Sequence, residues 1–371
     1  MAPAPAGRDD PTMAPLADKL PPPEPDAERL LAVLRRRVPD RIPLFELGIA
    51  DSVLEAFLGK AMPPRPEEKT LEALRAWSAP RVEGWWRLGF DYMIVRADSP
   101  FDLQALAAHT EGDRTWMEEH RGVISSREDL ERFPWPERID FTRSEAVLSL
   151  LPPGMKGILF SGGVLEWATV LMGMESFMMG LYEAPDLVRQ VVDRVGRAVL
   201  LTFQGLVEDE RILALWLGDD LGFRSSTLIH PKHIEALLFP WYRRYADLAH
   251  RHGKPFIFHS CGNIEPVMPG LIEQVGIDAR HSFEDAVVPA EEAMARWGDR
   301  VAVLGGVDVD LLARGTPAQV KARTLDLLEK CAPRGGYAAG SGNSIPDYVP
   351  PGNYLALLQA VREFEGRSGP P

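Results

Sequence analysis

The chain has 371 residues, 45% of them apolar, a net charge of −13 and two cysteines. That length and apolar content suit one large domain with a sizeable core. The acidic balance, with no overriding basic cluster, excludes a nucleic-acid or anionic-membrane surface, and two cysteines exclude a disulfide framework, which points to a reducing, cytoplasmic setting.

Residues 1 to about 25, rich in Ala, Pro and Asp, read as a disordered leader with too little apolar surface to fold. No basic start followed by an apolar stretch marks a secretory signal, and no apolar run reaches transmembrane length. A single domain, 26–371, follows. Asp26 caps a helix reaching Arg37, and Ile42–Leu47 is a first strand with Glu46 near its end. Helical rhythm covers Ser52–Leu58 and Leu71–Leu88, and Phe90–Val95 is a second strand leading to Arg96 and Asp98. Phe101 to Ile139 is longer than a barrel crossover and contains Gly112-Asp113 between strand-like segments. It reads as an inserted hairpin or lid, closed by Pro134-Trp135-Pro136.

Gly157–Phe160 is the third strand, followed by Glu166 and Trp167, and Pro185–Leu206 is a long helix. Ile212–Leu217 is the fourth strand, ending in Gly218-Asp219-Asp220. A helix then runs from His230 to His252, with Pro231 suited to its first turn. Pro255–Phe258 is the fifth strand and runs into His259-Ser260-Cys261-Gly262. Strand alternation points His259 and Cys261 the same way, and an imidazole beside a thiolate is a zinc-type donor pair. After a helical stretch, Ile264–Val275, the sixth strand, Ile277–Phe283, carries His281, Glu284 and Asp285 to its end. Val301–Leu304 and Gly336–Ala339 are the seventh and eighth strands. They end at Asp308 and at Ser341 and Asn343, and a last helix spans Asn353–Phe364.

Eight strand candidates, most ending in polar residues, describe an α/β TIM-type (β/α)₈ barrel whose C-terminal strand ends carry the site. Structural readings stand beside each candidate. Asp219 and Asp220 can cap the following helix, Glu166 can begin one, and Asp308 can cap Leu311-Leu312. His259 can be a hydrogen-bonded rim histidine. Cys331 reads as a buried structural cysteine, and the Met174–Met179 cluster as core or pocket lining.

Three motifs together resemble the uroporphyrinogen decarboxylase superfamily: Gly218-Asp219-Asp220-Leu221-Gly222, His259-Ser260-Cys261-Gly262-Asn263, and Gly340-Ser341-Gly342-Asn343-Ser344-Ile345-Pro346. Within it, the chain looks most like the corrinoid-linked methyltransferases and related O-demethylation enzymes, from about Arg29 to Phe364. That resemblance implies a TIM-type barrel with zinc on a His-x-Cys pair, here His259 and Cys261. A carboxylate ligand falls at Glu284, and Ser341 stands where the relatives carry a later Cys. Losing that thiolate implies weaker zinc binding.

The same resemblance implies that Glu284 completes the metal shell or acts as a displaceable ligand. Asp219 and Asp220 orient the substrate or take a proton, and Glu46, Arg96, Glu166, His281, Ser341, Asn343 and Tyr348 contact it. No Asp-x-His-x-x-Gly sequence is present to ligate cobalt, so the resemblance places the corrinoid on a separate partner protein. Phe45-Glu46-Leu47-Gly48 stands where the decarboxylases carry an Arg-rich motif, and an acid there is expected to repel a polycarboxylate porphyrinogen. A metal-free decarboxylase or lyase, with His259 and the aspartates as acid and base, is the alternative. A non-enzymatic binding barrel is a third reading, opposed by the many rim carboxylates.

Overall fold

The computed structural model describes residues 14–101 and 122–368, together with the backbone of 109–111 and 114–116. Seven parallel strands form one curled sheet in chain order: β1 (Tyr92–Arg96), β2 (Lys156–Gly162), β3 (Ile212–Gly218), β4 (Phe256–His259), β5 (Ala279–His281), β6 (Ala302–Leu304) and β7 (Tyr337–Ala338). Each pairs with the next, and helices cover the outer face. Every residue of β3 and β4 is buried, as expected for strands packed on both faces.

The expected first strand, 42–47, is an extended segment rather than a member of this ladder. Leu44 bridges Ala339 in parallel, Phe45 N–H donates to the Ala339 carbonyl at 2.8 Å, and Ala339 N–H donates to that of Pro43 at 2.9 Å. Toward β1 the link is a side chain. Glu46 N–H donates to the Tyr92 hydroxyl at 2.8 Å, and that hydroxyl donates to the Glu46 carbonyl at 2.7 Å. The architecture is thus an α/β fold with a curled parallel sheet, consistent with a TIM-type barrel. Phe45, Trp216 and His281 fill its interior with ring centroids 4.7 to 5.5 Å apart.

Most expected helices are present. Leu71–Leu88 has the predicted bounds, Pro185–Gln204 is continuous, and Thr316 caps Pro317–Cys331 through Gln319 N–H. The expected helix 230–252 is instead a short turn, a π segment (Ile234–Leu238) and Phe239–Arg251. The leader needs correction. Residues 1–13 lie outside the described residues, but Leu16–Lys19 is a short 3₁₀ helix with Ala17 in the hydrophobic core, and Arg87 pairs with Asp18 at 2.5 Å. Of the expected excursion, 102–108, 112–113 and 117–121 lie outside the described residues. His109–Glu111 and Arg114–Trp116 pair antiparallel, and the helix Arg127–Arg132 follows.

Candidate functional site

The three sequence motifs meet at the C-terminal ends of the strands. The loops after β3 and β4 lie backbone to backbone. A Cβ on Gly262, whose φ is +72°, would approach the Gly222 carbonyl carbon to 2.5 Å, so neither loop tolerates a larger residue at that contact. Three hydrogen bonds tie them: Leu221 N–H to Ser260 Oγ at 2.9 Å, Asn263 N–H to the Phe223 carbonyl at 2.8 Å, and Cys261 N–H to Asp220 Oδ1 at 2.8 Å. The loop after β7 brings Asn343, whose Nδ2 donates to Cys261 Sγ at 3.2 Å.

Asp220, His259 and Cys261 each offer a ligand atom, and these atoms lie within 4.8 Å of one another. Tetrahedral zinc, with Zn–S of about 2.3 Å and Zn–N of about 2.05 Å, separates such donors by ~3.6 Å. His259 Nε2 stands 3.5 Å from Cys261 Sγ and 3.6 Å from Asp220 Oδ1. The donor set therefore fits a zinc ion. Burial lowers the His259 pKa to about 4, so its ring is neutral at pH 7 with a free lone pair. Burial, reinforced by Asp220, pushes the Cys261 thiol up to about 12.

Behind His259 lies His281, its partner in the β4–β5 register. Matching positions on neighbouring strands put both side chains on the same face, and the two Nδ1 atoms are 2.8 Å apart. One ring must donate and the other accept. With His259 Nε2 turned to the cluster as a lone pair, His259 Nδ1–H is the donor and His281 Nδ1 the acceptor. His281 is buried and supports His259; it is not placed to touch a substrate.

Several expected roles change. Asp219 is fully buried and faces away from the metal donors. Its carboxylate accepts from Leu165 N–H at 2.9 Å, Glu166 N–H at 3.0 Å and the Tyr242 hydroxyl, so it caps the helix Val164–Met172 that follows β2. A Cβ on Gly163 would fall 1.9 Å from Asp219 Cγ, so only glycine fits there. Glu284 is outside the donor group. β5 ends at His281, and the turn beyond carries Glu284 outward, where it accepts from Gly262 N–H at 3.4 Å and lines an outer cavity. Asp220 is the carboxylate that lies with His259 and Cys261 in the candidate donor group.

Ser341 is also turned away, because its hydroxyl bonds Glu46, whose Oε1 accepts from Ser341 N–H at 2.8 Å. Glu46 is 1% exposed, and burial pushes its carboxyl up to about 8 against the Ser341 bonds. A neutral, enclosed group neither holds nor repels a substrate, so the expected repulsion of a polycarboxylate does not follow. Asp308 caps the helix Val309–Arg314 through Asp310 N–H, as the structural reading has it.

Four expected contacts, Asn343, Tyr348, Glu166 and Arg96, line cavities. Asn343 and the exposed Tyr348 line a cavity beside Glu284. Glu166 and Asp220 line an apolar cavity with Leu165, Trp167, Val170 and Met174. Burial, with Asp219 and Asp220 adding to it, pushes Glu166 up to about 8. Arg96 lies against the Phe160 ring at 3.9 Å and lines a further cavity with Trp77 and Arg143, two residues that no motif signals.

A curled parallel α/β sheet, consistent with a TIM-type barrel, carries a nitrogen, a sulfur and an oxygen donor converging on its C-terminal rim as a candidate metal centre. Residues 25–364 match the family described as uroporphyrinogen decarboxylase (URO-D), and the chain belongs to that family. A uroporphyrinogen decarboxylase of Anaeromyxobacter dehalogenans is 25% identical over 368 residues, covering 91% of this chain and 98% of the relative. A methylated-thiol–coenzyme M methyltransferase of Methanosarcina mazei is 32% identical over 140 residues, 38% of this chain and 35% of the relative. Among solved structures, a methyltransferase from Methanosarcina mazei superposes with a TM-score of 0.68 at 19% identity, covering 92% of this chain and 99% of its own. That likeness shows the shared fold. Among the described residues, no single helix is long and apolar enough to cross a membrane.

Proposed function

We propose that this chain is a zinc-dependent methyltransferase or O-demethylase component. It moves a methyl group between a small methylated substrate, or a thiol- or folate-type acceptor, and a separate corrinoid protein in the cytoplasm. The observation that carries this reading is the convergence of Asp220, His259 and Cys261 at zinc-like separations. The methyltransferase relative adds to it. Zinc held there supplies a Lewis acid that makes a thiol or hydroxyl acceptor nucleophilic at neutral pH.

The chain's own groups do the remaining work. His281 fixes the His259 tautomer, and Asn343 donates to the Cys261 sulfur. Glu166, protonated at neutral pH by burial, orients a polar group at the edge of the apolar cavity. Glu284 and Tyr348 border the cavity through which substrate or partner approaches. In this reading the corrinoid sits on the partner, since the chain has no cobalt-ligating sequence of its own.

Zinc content decides. Wild type, Asp220→Asn, Cys261→Ser and Ser341→Cys would be purified without chelator and assayed before and after zinc supplementation. Asp220→Asn and Cys261→Ser should lose most of the metal and the turnover. Ser341→Cys should change neither, because position 341 faces Glu46. Full activity in metal-free wild type would sink the zinc mechanism. It would promote a metal-free carboxy-lyase on the same barrel, a reading favoured by the decarboxylase relative that matches nearly end to end.

A further inference from the structure

A cavity of about 160 Å³ opens beside the C-terminal end of β1, walled by Leu54, Trp77, Trp85 and Met93. Three guanidinium groups line it, those of Arg81, Arg96 and Arg143. Arg81 is neutralised: it forks onto the Asp51 carboxylate and also donates to the carbonyls of Trp77 and Pro63. The other two are not.

Among the described residues, Arg96 and Arg143 have no carboxylate within 4.0 Å and no hydrogen-bond acceptor. Each has only an aromatic face, Phe160 at 3.9 Å for Arg96 and Trp77 at 5.3 Å for Arg143. Asp98, the carboxylate whose field favours Arg143, is taken by Lys69 at 3.0 Å and Arg65 at 3.9 Å. Burial, followed by repulsion from Arg143, lowers the Arg96 pKa to about 10.

Two like charges held half-buried without a counter-ion are costly, and a guanidinium fork is matched by a planar or tetrahedral oxyanion. The location ties this cavity to the candidate metal centre. A Cβ built on Gly218 would lie 2.6 Å from the Phe160 ring and 3.8 Å from His259 Cδ2. The ring under Arg96 and the His259 imidazole therefore flank one glycine. The volume is close to the cavity of about 150 Å³ that takes up benzene.

We infer that Arg96 and Arg143 form an oxyanion subsite that holds the carboxylate or sulfonate of a small organic substrate, with its apolar part against Trp77 and Met93. Assigning the anion to the substrate rests on the methyl-transfer reading above; the binding of the anion does not.

Isothermal titration of the zinc-free full chain with benzoate, benzenesulfonate and neutral benzamide tests it. One anion or both should bind saturably and benzamide about tenfold more weakly or worse. Tighter benzoate marks a carboxylate site, and tighter benzenesulfonate a sulfonate site. Arg96→Gln and Arg143→Gln should each weaken the anion by about tenfold or more and leave benzamide unchanged. Should the glutamine variants fail to fold, Arg143→Lys, which keeps the charge and loses the fork, carries the test with an expected loss of about threefold or more. No binding of either anion, equal binding of benzamide, or wild-type affinity in the folded variants overturns the subsite. Anion binding without methyl transfer would instead overturn only the proposed reaction.

Discussion

The Tyr92 hydroxyl and the Glu46 backbone form a reciprocal pair: the hydroxyl donates to the Glu46 carbonyl at 2.7 Å and accepts its N–H at 2.8 Å. Tyr92 is fully buried and stacks on Phe45 with ring centroids 5.2 Å apart. One phenol thus stands where a strand ladder would otherwise join the 42–47 segment to β1.

Tyr92→Phe tests this seam. It keeps the ring packing and leaves a buried N–H and C=O unpaired, which costs about 1–3 kcal/mol each way it is measured. Urea unfolding should show the loss, and the Glu46 amide should exchange faster with solvent. An unchanged midpoint would mean that other contacts hold the seam.

Glu46 gives a pH signature. Burial raises its carboxyl from 4.5 to about 8, so between those values the folded chain keeps a proton that the unfolded chain has lost. Its contribution to stability is complete below pH 4.5, declines as pH rises toward 8 and is flat above. The slope is at most about 1.4 kcal/mol per pH unit. Glu46→Gln removes that slope, so the variant should gain on wild type from pH 5 to pH 8 in denaturant titrations. Parallel stability profiles would contradict the buried-acid assignment.

Adjacent aspartates should behave differently. Asp219→Asn weakens a helix cap and should cost about 1–2 kcal/mol in stability while zinc content stays near the wild-type level. Asp220→Asn should do the reverse. Both readouts come from one preparation, by thermal unfolding and elemental analysis. Loss of zinc in a folded Asp219→Asn protein would instead place that residue in the metal site.

His281→Leu removes the acceptor for His259 Nδ1–H. Zinc affinity, measured by competition with a chromophoric chelator, should fall about 10–100-fold. His281→Asn, whose side-chain oxygen replaces Nδ1, should recover part of it. Equal affinities in the leucine and asparagine variants would point to a packing effect alone.

Strand positions and the rim were legible because a buried parallel strand writes an apolar run that ends in glycine and polar residues, as Ile212–Gly218 does. The His259–Cys261 pair was legible from spacing. Asp220 as their companion was not, because it reaches them through a bond between two loops 41 residues apart. Glu284 was misplaced because the apolar run 277–283 outlasts its ladder, which stops at His281. Ser341 and Glu46 each looked like a rim group, and their bond spans 295 positions, a distance at which local pattern says nothing. Ala17 was hidden in a proline-rich stretch whose composition argues against packing, and Arg143 in a helix, Thr142–Leu148, with no motif.

The Asp219 carboxylate occupies the space that a side chain at Gly163 would need, and Tyr242 grips it from a third element. These positions therefore behave as one unit of inheritance. A methyl group at 163 demands a smaller residue at 219, which strips the cap from Val164–Met172 and leaves the Tyr242 hydroxyl without its acceptor. Substitutions here are expected to be epistatic, the cost of a change at one position depending on the residues at the other two. The neighbouring candidate donor Asp220 is thereby carried on a loop that sequence drift cannot easily loosen.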